Sequence, residues 1–112
     1  MERYTRSMEL YQESQKTLAA GVSSNLRLAM KPLPLFMKES KGTKLMDEDN
    51  NEYIDYIMAY GPQILGHSHP VVVSAIQKQV QVGQTYGAQH VGEIDLSKRI
   101  TKYVNGVDLV SF

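Results

Sequence analysis

The chain has 112 residues, with twelve Lys plus Arg against twelve Asp plus Glu and no cysteine. Zero formal net charge gives no pull toward nucleic acid or an anionic membrane, and the missing cysteines exclude disulfides and thiolate chemistry. The length allows one domain at most, no apolar run nears the roughly 20 residues of a membrane span, and "MERYTRSMELYQ" lacks a signal peptide's apolar stretch, so a cytoplasmic protein is the default expectation.

Tyr4, Met8, Tyr11 and Leu18 fall near one helical face and predict an amphipathic helix over residues 2–20. Gly21 suits the left-handed position that ends such a helix. "VSSNLRLAMKPLPL" has no period and contains Pro32 and Pro34; it reads as an ordered loop or extended arm. "LFMKES-KG-TKLMD" predicts a hairpin about Lys41-Gly42, because glycine supplies positive φ. "DEDNN" reads as a second turn, with Asn50 and Asn51 tolerant of left-handed geometry, and "EYIDY" as a third short strand. The sum is a small antiparallel meander.

Pro70 predicts a helix start, since its missing N–H would be unpaired there anyway. Val72, Val73, Ile76 and Val80 form its apolar stripe, and Gly83 is its expected end. "GQTYGAQH" reads as a loop. A third helix is expected from about Val91 to Val104, with Leu96, Ile100, Tyr103 and Val104 facing inward. "VDLVSF" reads as a short apolar strand of an α/β unit, one that needs neighbours on both edges. The chain reads like the opening of a larger α/β protein.

Several residues are candidates for chemistry. His67 and His69, two apart in an extended segment, would share a face, but a zinc site needs a third protein ligand and no spacing supplies one. The competing reading has Gly66 making a tight bend while the histidines and Ser68 bond backbone groups at the helix entrance. Asp47, Asp49 and Asn51 alternate as in a calcium loop, yet Glu52 and Met58 stand where that loop needs Gly and Glu, which favours a turn. Arg27 sits in the unperiodic loop beside Ser23, Ser24 and Asn25. A guanidinium with nearby hydroxyls suits a carboxylate, though spacing alone favours a solvated surface arginine. Tyr60 reads as a core or interface residue, or as an aromatic wall beside Gly61-Pro62. No Ser-His-Asp spacing, P-loop or dinucleotide fingerprint occurs.

The order of motifs carries more than any one of them. "KGTKLMDEDNNEYIDYIMAYGPQILGHSHPVVVSAI" resembles the N-terminal region of class III pyridoxal-phosphate-dependent aminotransferases. The features that carry the resemblance are Gly42, the Asp47/Asp49/Asn51 turn, Tyr53-Ile54-Asp55, Gly66-His67 and His69-Pro70. "GVSSNLR", "YGPQILGHSHP" and "GQTYGAQH" resemble the glutamate-1-semialdehyde aminomutase branch. The resemblance implies an α/β, aspartate aminotransferase-like fold, that of the pyridoxal 5'-phosphate (PLP)-dependent transferases. This chain would be its N-terminal portion: helix, small antiparallel meander, two helices and the start of the large-domain strand. It implies an arm over residues 1–34, part of the small domain with linking helices over 35–106, and the start of the cofactor domain over 107–112.

The resemblance also implies roles. The Gly-His-x-His-Pro segment becomes chiefly architectural. Arg27 would contact a substrate carboxylate with Ser24 nearby, and Tyr60 would look toward the active-site entrance. Departures fall on that same side. Ala59-Tyr60 stands where the aminomutases have Ser-Trp, Asn25 and Gln89 stand where they have proline, and Asn50 replaces a turn glycine. These leave the particular substrate open. The phosphate-binding turn and the Schiff-base lysine of the family are expected beyond Phe112, so no catalytic, cofactor-binding or metal-binding residue is expected here. The isolated chain is expected to be inactive. The parent would be a homodimer acting on a small amino or carbonyl substrate that carries a carboxylate. Two other readings stay open: a non-catalytic structural or interaction protein, and a small metal-binding module on His67 and His69.

Overall fold

The computed structural model describes residues 2–112. It divides into two compact units after Val73.

In the first unit, Thr5–Ser14 forms helix α1 after a tight turn at Glu2–Tyr4. The helix expected to reach residue 20 stops at Ser14. The Ser14 hydroxyl lies 2.9 Å from the Tyr11 carbonyl and 2.7 Å from the Gly21 carbonyl, so it ties a returning chain to the helix end. Ala20 (φ +53) and Gly21 (φ +73) make that return. A Cβ on Gly21 would stand 2.7 Å from both Tyr11 Cε2 and Gln15 Cγ. The glycine expected to stop a helix instead permits a close crossing over one.

No side chain at the N-cap position, Tyr4, caps α1. A carboxylate 42 residues away in sequence does so. Asp49 Oδ1 accepts from the Arg6 N–H at 2.6 Å, and Oδ2 accepts from the Ser7 N–H at 2.9 Å and its hydroxyl at 2.5 Å. The unpaired amides and positive dipole end of a helix favour an anion there.

Asp49 lies in the second turn of the meander. Strands β1 (Met37–Lys41), β2 (Lys44–Asp47) and β3 (Glu52–Ile54) pair antiparallel in the order β1-β2-β3. The hairpin is one residue out of the expected register, because Lys41 pairs with Lys44 and the turn is Gly42-Thr43. Gly42 has the positive φ, +57°, that such a turn needs. The second turn is built around Asp47, which is fully buried. Its Oδ1 accepts from the amides of Asp49 (3.0 Å) and Asn51 (2.7 Å), and its Oδ2 from Asn51 Nδ2 (2.9 Å) and the Tyr53 hydroxyl (2.8 Å). Burial alone would raise this carboxyl, but the bonds from Asn51, Tyr53 and Asp49 together hold it below its ordinary value. Burial and the Asp47 contact push the Tyr53 hydroxyl up.

The chain then returns to the hairpin tip. Gly42 and His67 exchange backbone bonds of 2.9 and 2.8 Å. Gly66 (φ +82) sits against that tip, and a Cβ there would lie 2.9 Å from the Gly42 carbonyl oxygen. Gly66→Ala should therefore destabilise by about 2–5 kcal/mol, combining left-handed strain with overpacking against backbone. Gly42→Ala, with nothing within 4 Å of the added carbon, should cost only the strain, about 1–2 kcal/mol. Chemical denaturation of both variants measures the difference, and equal costs would contradict the contact.

Helix α2 spans Pro70–Val80, starting at the expected proline, and α3 spans Val91–Tyr103. The second unit holds the end of α2, the loop, α3 and the tail. His90 caps α3: its Nδ1 accepts from the Gly92 amide at 3.1 Å, and Glu93 Oε1 accepts from the His90 amide at 2.9 Å. The Tyr86 ring stacks on His90 at 5.2 Å. The apolar stripe of α2 and the expected inward face of α3, apart from the half-buried Ile100, are exposed in this chain. Val72, Val73, Ile76 and Val80 are 36–56% exposed, as are Leu96 and Val104 at 49%, and Tyr103 is 74% exposed. Leu33 is the one buried large apolar side chain among the described residues. Periodicity fixes which face of a helix is apolar, not what covers it. The tail Val107–Phe112, expected as a strand, joins no ladder among the described residues. A strand exists only through a neighbour's hydrogen bonds, and none lies alongside. No helix among the described residues is long and apolar enough to cross a membrane.

Candidate functional site

Arg27 lies in a short 3-10 turn, Asn25–Ala29, that opens from the extended Ser24 and closes with the Arg27 amide donating to the Ser24 carbonyl at 3.0 Å. Its Nη1 donates to the Ser23 hydroxyl. The side chain borders a groove of about 480 Å³ whose walls include Val22, Met30, Phe36 and Met37. Among the described residues no carboxylate forms an ion pair with Arg27, nor with Arg3 or Arg99, while Arg6, Lys16 and Lys44 are paired to Glu9, Glu13 and Glu52. A guanidinium beside apolar walls binds a carboxylate more strongly than one in open water. Ser24, expected beside the substrate carboxylate, is half-buried and does not line this groove. The hydroxyl that touches the guanidinium is that of Ser23, four residues before Arg27, and not that of Ser24.

Tyr60 is not part of this groove. It stands 73% exposed at the end of a turn in which Met58 (φ +50), Ala59 (φ +52) and Tyr60 (φ +66) are all left-handed. Each such residue costs roughly 1–2 kcal/mol for a side chain with a Cβ. Gly61-Pro62 mark a turn in the sequence, but no Gly or Asn at positions 58–60 flags the left-handed run before them.

The histidines take different roles from those expected. His67 Nε2 lies 2.6 Å from Asp55 Oδ2, and the two side chains are only 13% and 6% exposed. Its ring therefore bonds a carboxylate, not a backbone group at the helix entrance. The bond from His67 lowers the Asp55 carboxyl most; burial opposes it, and the amides of Met58 and Ile57 add to the lowering. Ser68 bonds backbone, but that of Ser40 in β1, at 2.9 Å. Ser68 is itself left-handed (φ +53), so the segment is not extended and the alternation expected to align two imidazoles is broken. His69 Nδ1 is buried without a hydrogen-bond partner among the described residues. No cluster of three or more His, Asp or Glu groups able to hold a metal occurs among them.

The family model for class III aminotransferases matches residues 27–112. The glutamate-1-semialdehyde 2,1-aminomutase of Ignicoccus hospitalis is 42% identical over 107 residues, which are 96% of this chain and 25% of that protein. Among solved structures, an omega-transaminase from Sphaerobacter thermophilus superposes with a TM-score of 0.84 at 22% identity, over 91% of this chain and 23% of the other. A transaminase with PLP bound gives 0.78 at 26% identity, over 87% and 23%. The chain spans about a quarter of the length of the relatives it matches. The fold class expected from the motifs, the aspartate aminotransferase-like α/β fold of PLP-dependent transferases, is the one these neighbours carry, and this chain has helices and a small antiparallel three-stranded sheet. With most of its residues inside the family's model, the chain belongs to the class III aminotransferases.

Proposed function

We propose that this chain supplies the substrate-facing N-terminal part of a PLP-dependent enzyme, an aminotransferase or aminomutase, that moves an amino group between amino and carbonyl compounds. The observation that carries the reading is Arg27, oriented by Ser23, bordering an apolar-walled groove and lacking a carboxylate partner among the described residues. In this reading Arg27 takes the substrate carboxylate, Ser24 flanks it, and Tyr60 stands at the entrance. The divisions 1–34, 35–106 and 107–112 serve as arm, small-domain part and entry to the cofactor domain. A homodimer in the cytoplasm completes the proposal.

PLP, when bound, supplies the electron sink for amino transfer. The residues of this chain do not fit that group by themselves. All eight lysines are exposed, and none lies in a secluded pocket where its amine would be desolvated for such chemistry. The part of the relatives that this chain does not span corresponds to what would hold the cofactor, and this chain would bind and orient the substrate.

The test is an amino-transfer assay on the whole protein with paired donors that differ only in a carboxylate. Turnover should require PLP and favour the carboxylate-bearing donor by more than about tenfold. Equal use of donors lacking the carboxylate would overturn the role of Arg27.

A further inference from the structure

We propose that Asp55 and His67 are positioning residues that hold residues 58–60 in their left-handed turn and so fix where Tyr60 stands. The proposal rests on the reading of Tyr60 as a substrate-facing residue. Left-handed residues with a Cβ occur singly as a rule. Three in succession persist only where the surroundings over-determine them, and such strain clusters at functional sites. Within this chain burial contributes little to holding the turn, because Ile57, Met58 and Tyr60 are 59%, 43% and 73% exposed.

Asp55 holds it. Its Oδ1 accepts from the amides of Ile57 and Met58, each at 2.9 Å, at the point where the left-handed run begins. Its Oδ2 meets His67 Nε2 at 2.6 Å. Both partners are themselves anchored to the hairpin tip. The Asp55 amide donates to the Thr43 carbonyl at 2.8 Å, and His67 exchanges two backbone bonds with Gly42. The turn closes with the Tyr60 amide on the Ile57 carbonyl and the Gly61 amide on the Met58 carbonyl, both at 2.9 Å. A nearly buried carboxylate and imidazole thus secure an exposed, strained turn whose last non-glycine residue is Tyr60.

The experiment uses the whole protein and two independent readouts. The first is amide hydrogen exchange. Asp55→Ala should speed exchange across residues 57–61 by more than about tenfold while residues 37–47 keep their protection, and His67→Ala should do the same to a smaller degree. Unchanged exchange at 57–61, or equal loss in the hairpin, would overturn the proposal. The second is a kinetic cycle with Tyr60→Ala. If Asp55 acts through Tyr60, Asp55→Ala should raise KM with little change in kcat, and the double variant should be no worse than Tyr60→Ala alone. Additive KM effects would overturn it. A silent Tyr60→Ala would sink the substrate-facing role of Tyr60, while exchange still decides whether the pair holds the turn. Should Asp55→Ala not fold, His67→Ala decides on the same readouts.

Discussion

Arg27→Ala should lower kcat/KM of the whole enzyme for a carboxylate-bearing substrate by more than tenfold. Truncating one partner of a desolvated charge pair typically costs about 2–5 kcal/mol, and the lower end corresponds to about 30-fold. Arg27 borders a groove with apolar walls and touches Ser23 but is exposed in this chain, so the full effect requires that bound substrate and the rest of the enzyme keep water from the pair. Bound cofactor should stay at wild-type level, because no residue of this groove holds it in the proposed scheme. Arg27→Lys should fall between wild type and Ala, since an ammonium keeps the charge and loses the fork. Steady-state kinetics with cofactor content measured in parallel checks this. Unchanged kinetics would place Arg27 on the solvated surface.

Asp47→Ala should be the most destabilising single change in the meander, by about 3 kcal/mol or more. It strands the amides of Asp49 and Asn51, the Asn51 side-chain amide and the Tyr53 hydroxyl around a fully buried position, and each unsatisfied buried donor costs roughly 1–3 kcal/mol, less than additively. Asp47→Asn should cost less, since its carbonyl still accepts from the two backbone amides. The same turn should be acid-sensitive. The carboxyls of Asp47 and Asp49 are both lowered from 3.8; burial opposes the shift, and hydrogen bonds from Asn51 and Tyr53, or from Ser7 and Arg6, outweigh it. A carboxyl lowered on folding contributes stability that is fully present above its unfolded value and is lost as pH falls through the folded one. Denaturation midpoints should therefore fall as pH drops below about 4, and Asp47→Ala should flatten that fall. A wild-type midpoint indifferent to acid would contradict the assignment.

The meander, both later helices and their order were legible because their signals are local. Gly42 and Asn50 take positive φ within the turns they make, and Pro70 stands at the first residue of α2. What escaped depends on distant partners. The stop of α1 at Ser14 needs Gly21 folded back onto it, and the α1 cap comes from Asp49. The apolar faces of α2 and α3 were legible as faces, but their covering was assumed. In the candidate site, Arg27 stood out as an arginine among hydroxyls, yet no spacing favours Ser23 over Ser24 as its partner. The Asp55–His67 pair escaped because the histidines were read against each other and against backbone, and the ring's partner lies 12 residues earlier.

The division of labour proposed for this chain, substrate side here and cofactor site elsewhere, is tested most directly by purifying the 112-residue chain, saturating it with PLP, dialysing, and assaying amino transfer. With all eight lysines exposed, the cofactor's visible absorbance should dialyse away, and turnover should not exceed that of free PLP. Stoichiometric PLP retained through dialysis, with amino transfer faster than the free cofactor, would contradict the account and place a cofactor lysine within these residues.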